Sequence, residues 1–206
     1  RPLQIVSGIV ERRHTLPILA NILIRKDGNQ VSLLSTDIEV QISTHAPIGS
    51  GSDAAATTVA ARKLLDILRA LPEGSEISLA LQDRKLQVRS GKSRFNLQTL
   101  PPEDFPRLAV GEGATSRFSM PQKLLRSLLG LVQYAMAQQD IRYYLNGILF
   151  VAEGKQLSLV ATDGHRLAFT TATLDVEVPK QEVILPRKTV LEMQRLLSDA
   201  DGAIEM

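Results

Sequence analysis

The sequence predicts an α+β protein made of two similar domains in tandem, each with two helices packed on antiparallel sheets. Three observations lead there. Residues 19–37 and 145–163 align without a gap, 126 positions apart. Nine of those nineteen positions are identical: Leu19/Leu145, Ile22/Ile148, Leu23/Leu149, Gly28/Gly154, Gln30/Gln156, Ser32/Ser158, Leu33/Leu159, Thr36/Thr162 and Asp37/Asp163. Unrelated segments of ordinary composition share roughly one or two. Second, short strand-like apolar runs bounded by Gly, Pro and Asp recur in both halves. Third, Arg-Lys opens an amphipathic helix in each half, at Ala61-Arg62-Lys63 and at Pro186-Arg187-Lys188.

Composition bounds what the duplication can mean. A chain of 206 residues suits two domains of ordinary size. Hydrophobic residues at 44 % and charged residues at 22 % are those of a globular protein. No apolar run is long enough to span a membrane, and the start has no signal-peptide pattern. With no cysteine, a disulfide framework and a thiolate metal site are both excluded, and a cytoplasmic location is expected. A net charge of +2 carries no nucleic-acid argument alone, so a basic surface must come from how the charges are arranged.

In chain order, residues 1–10 space Leu3, Ile5, Val6, Ile9 and Val10 as a helix. Strands are expected at 21–24, 31–35 and 38–44, with a turn at Asp27-Gly28. Residues 46–56 form a small, polar loop expected to be mobile, and 57–59 a short strand. A helix over 61–71 turns Leu64, Leu65, Leu68 and Leu71 inward and Arg62, Lys63, Asp66 and Arg69 outward, and Pro72 closes it. Strands at 77–81, 85–89 and 94–99 complete the first unit. Pro101-Pro102 and the Gly-rich 110–114 mark a linker, placing the domains at 1–108 and 115–206.

The second unit begins with a strand at 117–120 and a helix over 121–136 whose apolar stripe is Leu124, Leu125, Leu128, Leu129, Leu131 and Val132. Strand-like runs at 145–152 and 156–161 read as a hairpin through Glu153-Gly154. A helix over 187–197 has Val190, Leu191 and Leu197 inside and Arg187, Lys188 and Arg195 outside. Compared with each other, the first copy lacks an opening strand and the second its closing strands, so the sequence reads as a fragment.

Asp163, His165 and Arg166 suggest chemistry, but the patterns that chemistry needs are missing. Only three histidines exist, with no HxxxH or HExxH spacing, no phosphate loop, no GxGxxG after a strand and no GxSxG. No catalytic residue, metal site or cofactor is therefore expected. The duplicated Thr-Asp reads as a turn whose Asp caps backbone amides. The following His165-Arg166-Leu167 does not repeat, since Ile38-Glu39-Val40-Gln41 stands opposite Gly164-His165-Arg166-Leu167. Exposed basic residues on three helices, set on one concave surface, would attract a phosphate backbone without reading its sequence. Tyr143 and Tyr144, beside Gln139 and Arg142, could touch a nucleic acid or pack at a sheet edge.

Several motifs then converge: Thr15-Leu16-Pro17-Ile18-Leu19, Ala61-Arg62-Lys63, Ser93-Arg94-Phe95, Asp104-Phe105-Pro106, Gln139-Asp140-Ile141-Arg142-Tyr143-Tyr144-Leu145-Asn146-Gly147, residues 162–167 and Pro186-Arg187-Lys188. On these the sequence resembles the bacterial DNA polymerase III beta subunits, the beta sliding clamps, over essentially its whole length. The resemblance implies the DNA-clamp fold, with three similar domains per subunit and a homodimeric ring; the third domain is absent from this sequence. It implies a non-enzymatic processivity factor that encircles double-stranded DNA and tethers the replicative polymerase, the clamp loader and repair polymerases through short hydrophobic peptides. By motif position, DNA contact falls to Arg13, Arg62, Gln139, Tyr143 and Tyr144. The partner-peptide cleft falls to Leu145, Thr162, Gly164, His165, Arg166 and Leu167, and the dimer interface to Arg94, Phe95 and Leu97. The pattern departs at His14, where many relatives carry proline.

Overall fold

A computed structural model describes residues 1–10, 16–49, 54–108 and 117–206. The chain forms two compact units, Arg1–Ala109 and Val110–Met206. Arg13, residues 50–53 of the loop expected to be mobile and the Gly-rich linker lie outside the described residues.

In the first unit a short helix α1 (Pro2–Val6) precedes strands β1 (Asn21–Asp27), β2 (Gln30–Thr36), β3 (Gln41–Pro47) and β4 (Ala55–Ala60). Helix α2 (Ala61–Ala70) and strands β5 (Ser78–Gln82), β6 (Lys85–Ser90) and β7 (Ser93–Leu100) follow. The strands form one sheet in the order β3-β2-β1-β4-β7-β6-β5, with every pairing antiparallel. Its core joins Leu3 and Val6 of α1 and Leu64 of α2 to Ile22, Val59, Val88 and Leu97 of the sheet. Two buried hydroxyls tie these layers together. Ser35 donates to the carbonyl of Val6, supplying a partner that the end of a short helix lacks. Thr58, fully buried, accepts from Asn21 Nδ2 at 3.0 Å and donates to the Leu100 carbonyl at 2.9 Å, linking β1, β4 and β7. That link matters because β4 and β7 pair only at Thr58–Leu100 and Val59–Thr99.

In the second unit strand β8 (Ser119–Pro121) leads into helix α3 (Gln122–Val132). Strands β9 (Gly147–Thr162) and β10 (Leu167–Pro186), helix α4 (Arg187–Leu196) and strand β11 (Ala203–Glu205) complete it. Leu125, Leu128, Leu129 and Val132 of α3 lie on Ile148, Phe150, Leu157 and Leu159 of β9 and on Leu174 of β10. Leu131, expected in the apolar stripe, is 57 % exposed, because it falls beyond the arc the sheet covers. Leu191 of α4 is likewise 46 % exposed; the inward positions are Val190, Met193 and Leu197, one helical face at spacings of three and four. Gln194 Nε2 donates to the Arg126 carbonyl at 2.7 Å and locks α4 to α3.

Extended structure continues through the expected Glu153-Gly154 turn. The reason lies in β10, which pairs with β9 on both sides of it, residues 156–162 with 167–173 and 147–152 with 181–186, while Gly154 itself pairs with Val178. Gly154 has φ +59°, as Gly28 has φ +54° in the turn between β1 and β2. The two runs on either side of Gly154 therefore do not pair with each other, so the expected hairpin is one long strand whose apolar residues share one core. Strand β11, which the sequence did not announce, pairs with β8 and turns a single apolar residue, Ile204, toward the core.

One backbone position generates a prediction. Ile38 is held at φ +81°, where a β-branched residue is strained by roughly 1–2 kcal/mol. Glycine removes that strain at a flexibility cost of about 0.5–1 kcal/mol. Ile38→Gly should therefore stabilise the first unit slightly, raising its melting temperature by a few degrees in a thermal scan; a lower melting temperature would show that the half-exposed Ile38 side chain matters more than its backbone.

Candidate functional site

The site grows from a turn that the chain builds twice. In the first unit Thr36 Oγ1 donates to the Val40 carbonyl at 2.9 Å and accepts from Ile38 N–H at 3.0 Å. Asp37 Oδ1 accepts from Glu39 N–H at 3.1 Å and Val40 N–H at 2.7 Å. In the second unit Thr162 Oγ1 donates to the Arg166 carbonyl at 2.6 Å and accepts from Gly164 N–H at 3.1 Å. Asp163 Oδ1 accepts from His165 N–H and Arg166 N–H, both at 3.0 Å. Each hydrogen bond has its counterpart. Short polar side chains here replace the strand ladder as partners for the local backbone. Those donors, His165 N–H first, hold the Asp163 carboxyl below the ordinary carboxylate range, with the Arg166 guanidinium helping. The Thr162 hydroxyl, one of the expected cleft groups, donates its hydrogen bond to the turn.

What differs is exposure and decoration. Thr36 and Asp37 are buried, whereas the second turn stands half-open. Gly164, at φ +90°, occupies the left-handed position that Ile38 fills in the first copy. A Cβ there would sit 3.3 Å from Arg142 Nη2, so the missing side chain admits the guanidinium. His165 and Arg166 are exposed, and Leu167 is 64 % exposed at the start of β10. Leu145, the other leucine of the expected cleft, is buried, so of the two only Leu167 is open to a ligand.

Arg142 comes from a second feature, the loop between α3 and β9. Asp140 closes it with four atoms. Its N–H donates to Asn146 Oδ1 at 2.9 Å and its carbonyl accepts from Asn146 Nδ2 at 2.8 Å. Its carboxylate takes Arg142 Nε at 2.9 Å and Nη2 at 2.8 Å, and the Arg142 N–H at 2.8 Å. These bonds, the side-chain one first, pull the Asp140 carboxyl down to about 2 and push the Arg142 guanidinium up. The closed loop presents Gln139, Ile141, Tyr143 and Tyr144 to solvent, the two tyrosine rings meeting edge to face with centroids 5.9 Å apart. The sequence signalled these tyrosines but not Asp140 or Asn146, whose partners depend on how the loop closes.

The remaining expected residues are placed less evenly. Arg62 and Lys63 are exposed at the start of α2, and Lys123 on α3. Arg187 and Lys188 are half-buried rather than outward, and Arg126 of α3 pairs with Asp199. Arg94 faces out from β7, but Phe95 and Leu97 belong to the inward face, Leu97 being 8 % exposed. Strand alternation requires this, and because β7 meets β4 only at Thr99 and Leu100 its backbone edge over 93–98 has no partner on that side among the described residues. The divergence of β7 from β4 leaves a recess of about 270 Å³, lined by Lys63, Asn21, Asn96 and Gln98 among others. Among the described residues no three His, Cys, Asp or Glu side chains group as metal ligands, and no helix is long and apolar enough to cross a membrane.

Comparison with known proteins matches this architecture unit by unit. The model of the DNA polymerase III beta subunit N-terminal domain matches residues 1–109, and that of its central domain residues 119–206. The chain is 46 % identical to the beta sliding clamp of Pseudomonas aeruginosa, over 99 % of this chain and 56 % of that protein. It is 44 % identical to that of Escherichia coli K12, over 100 % and 56 %. The crystal structure of the P. aeruginosa DNA polymerase III subunit beta superposes with a TM-score of 0.96 at 45 % identity, covering 100 % of this chain and 56 % of that one. A P. aeruginosa clamp bound to griselimycin gives 0.92 at 45 % identity, over 99 % and 55 %. The chain thus spans little more than half the length of these relatives.

The loop generates a prediction with a definite sign. The Asp140 carboxyl lies below its ordinary value of 3.8, so its hold on the loop is complete above that value and is lost as pH falls toward about 2. Asp140→Ala should do at neutral pH what acid does. The Arg142 amide should exchange its hydrogen about tenfold faster or more, while the melting temperature of the second unit barely moves. Unchanged exchange would mean that the loop is held by other contacts.

Proposed function

The chain belongs to the DNA polymerase III beta subunit family, and from that premise we propose that the full subunit is a cytoplasmic sliding clamp. Two subunits close a ring around duplex DNA, a loader opens it, and polymerases and repair enzymes are tethered to it by short hydrophobic peptides. No reaction is catalysed. The observation that supports this most is the ordered match of two consecutive clamp domains to the two units, joined to a turn that is plain scaffold in one unit and open and decorated in the other.

The division of labour follows from charge and exposure. Retention by encirclement is topological and needs no tight contact. Individual contacts have to be weak enough to slide, and Arg62, Arg13, Gln139, Tyr143 and Tyr144 are suited to that: scattered cations, an amide and two aromatic rings that meet phosphates and sugars without reading bases. The free edge of β7, with Arg94, Phe95 and Leu97, is the surface by which subunits join. Partner peptides lie over Leu145, Thr162, Gly164, His165, Arg166 and Leu167. There Leu167 contributes apolar surface, and Gly164 leaves room for the Arg142 guanidinium beside it.

The test uses the full-length subunit with its loader on circular and linear duplexes of one sequence. Protein should stay on the circle through gel filtration and leave once the circle is cut. Equal retention on both would replace encirclement with simple affinity. On the unloaded protein, Arg62→Ala should lower the slope of log affinity against log salt by about one for any duplex sequence. Leu167→Ala should weaken a hydrophobic partner peptide without moving the melting temperature.

A further inference from the structure

Arg166 is restrained on two sides. Its Nε donates to Asp163 Oδ2 at 3.0 Å, and its guanidinium carbon lies 5.6 Å from the ring centroid of Tyr134. Tyr134 belongs to the short 3₁₀ turn Gln133–Ala135 that follows α3. Nothing derived so far uses this tyrosine, and at 58 % exposure core packing does not account for it. Beneath the guanidinium the backbone is fixed as well, since the Arg166 N–H and carbonyl are both engaged by the Thr-Asp turn. In the first unit Val40 stands at the matching position, so the repeated scaffold does not require a cation there.

We propose that Tyr134 is a positioning residue of the peptide cleft, an inference that rests on the cleft reading above. Its ring stacks against Arg166 while Asp163 holds Nε. The two Nη groups make no hydrogen bond among the described residues, and so remain as donors at the rim for oxygen acceptors of a bound peptide. An arginine left free at the surface would lose its rotamer freedom on binding, whereas a stacked one has lost much of it beforehand. Tyr134 thus acts through Arg166 and need not touch the ligand.

The experiment measures the affinity of the full-length subunit for a fluorescent synthetic peptide of leucine and phenylalanine residues carrying one glutamate. Tyr134→Leu keeps apolar bulk but removes the ring face, and should weaken binding about two- to fivefold, the size of an exposed cation–π pair. Tyr134→Phe keeps the face and should bind within twofold of the wild type. In an Arg166→Gln background Tyr134→Leu should cost nothing further. The proposal is overturned if Tyr134→Leu binds normally, if Tyr134→Phe fails to restore binding, or if the loss persists without Arg166. Leu167→Ala separates the two levels: weakened by it but indifferent to Tyr134→Leu, the cleft stands and this proposal falls; indifferent to both, the two fall together.

Discussion

The structure depends on a threonine and an aspartate that hydrogen-bond their own backbone. At the end of β2, and again at the end of β9, the chain must leave one strand and enter the next within four residues. Thr36-Asp37 and Thr162-Asp163 make this possible by satisfying four backbone groups apiece from within. In the first unit the pair is buried, where unpaired amides would be costly. In the second the same bonds hold a turn that stands in solvent. The backbone is finished without help from neighbours, which leaves the side chains of residues 165–167 available for other work.

Around that turn the second unit adds two supports that the repeat does not explain. The loop closed by Asp140 and Asn146 sends Arg142 against Gly164, and the end of α3 sends Tyr134 against Arg166. The same loop presents Gln139, Tyr143 and Tyr144 and ends in Leu145, so residues proposed to meet DNA and residues proposed to meet partner peptides share one closed piece of chain. A weak, mobile grip on DNA and a firm grip on a peptide ask for different surfaces, and here short polar bonds rather than core packing hold both in shape.

Much of the fold was legible because the duplication repeats its signals. The positions of the strands in the first unit, most of the inward faces of α2 and α3 and the Thr-Asp turn all follow from local pattern. Leu131 and Leu191 were misplaced because a helical stripe shows where the apolar arc lies, not how much of it the sheet covers. Phe95 and Leu97 came from the family resemblance as interface residues; strand alternation buries Leu97 and leaves Phe95 partly exposed. The hairpin expected through Glu153-Gly154 does not form, because 147–152 and 156–162 both pair with β10 rather than with each other, and no local rule foretold that partner. Asp140 and Asn146 were invisible for a related reason: residues six apart in a loop meet only once the loop has closed. The proposed cleft residues came from the family resemblance, and the failure of the repeat at residues 164–167 marks the same stretch as one the scaffold does not explain.

The claim that one scaffold serves two purposes is tested most directly by removing the same carboxylate from each copy of the full-length subunit. Asp37→Ala and Asp163→Ala should both lower the melting temperature of their own unit, since each leaves two backbone amides without partners. Only Asp163→Ala should weaken binding of the hydrophobic peptide. If Asp37→Ala weakens it as much, or if Asp163→Ala leaves it intact, the turn in the second unit is not what positions the site.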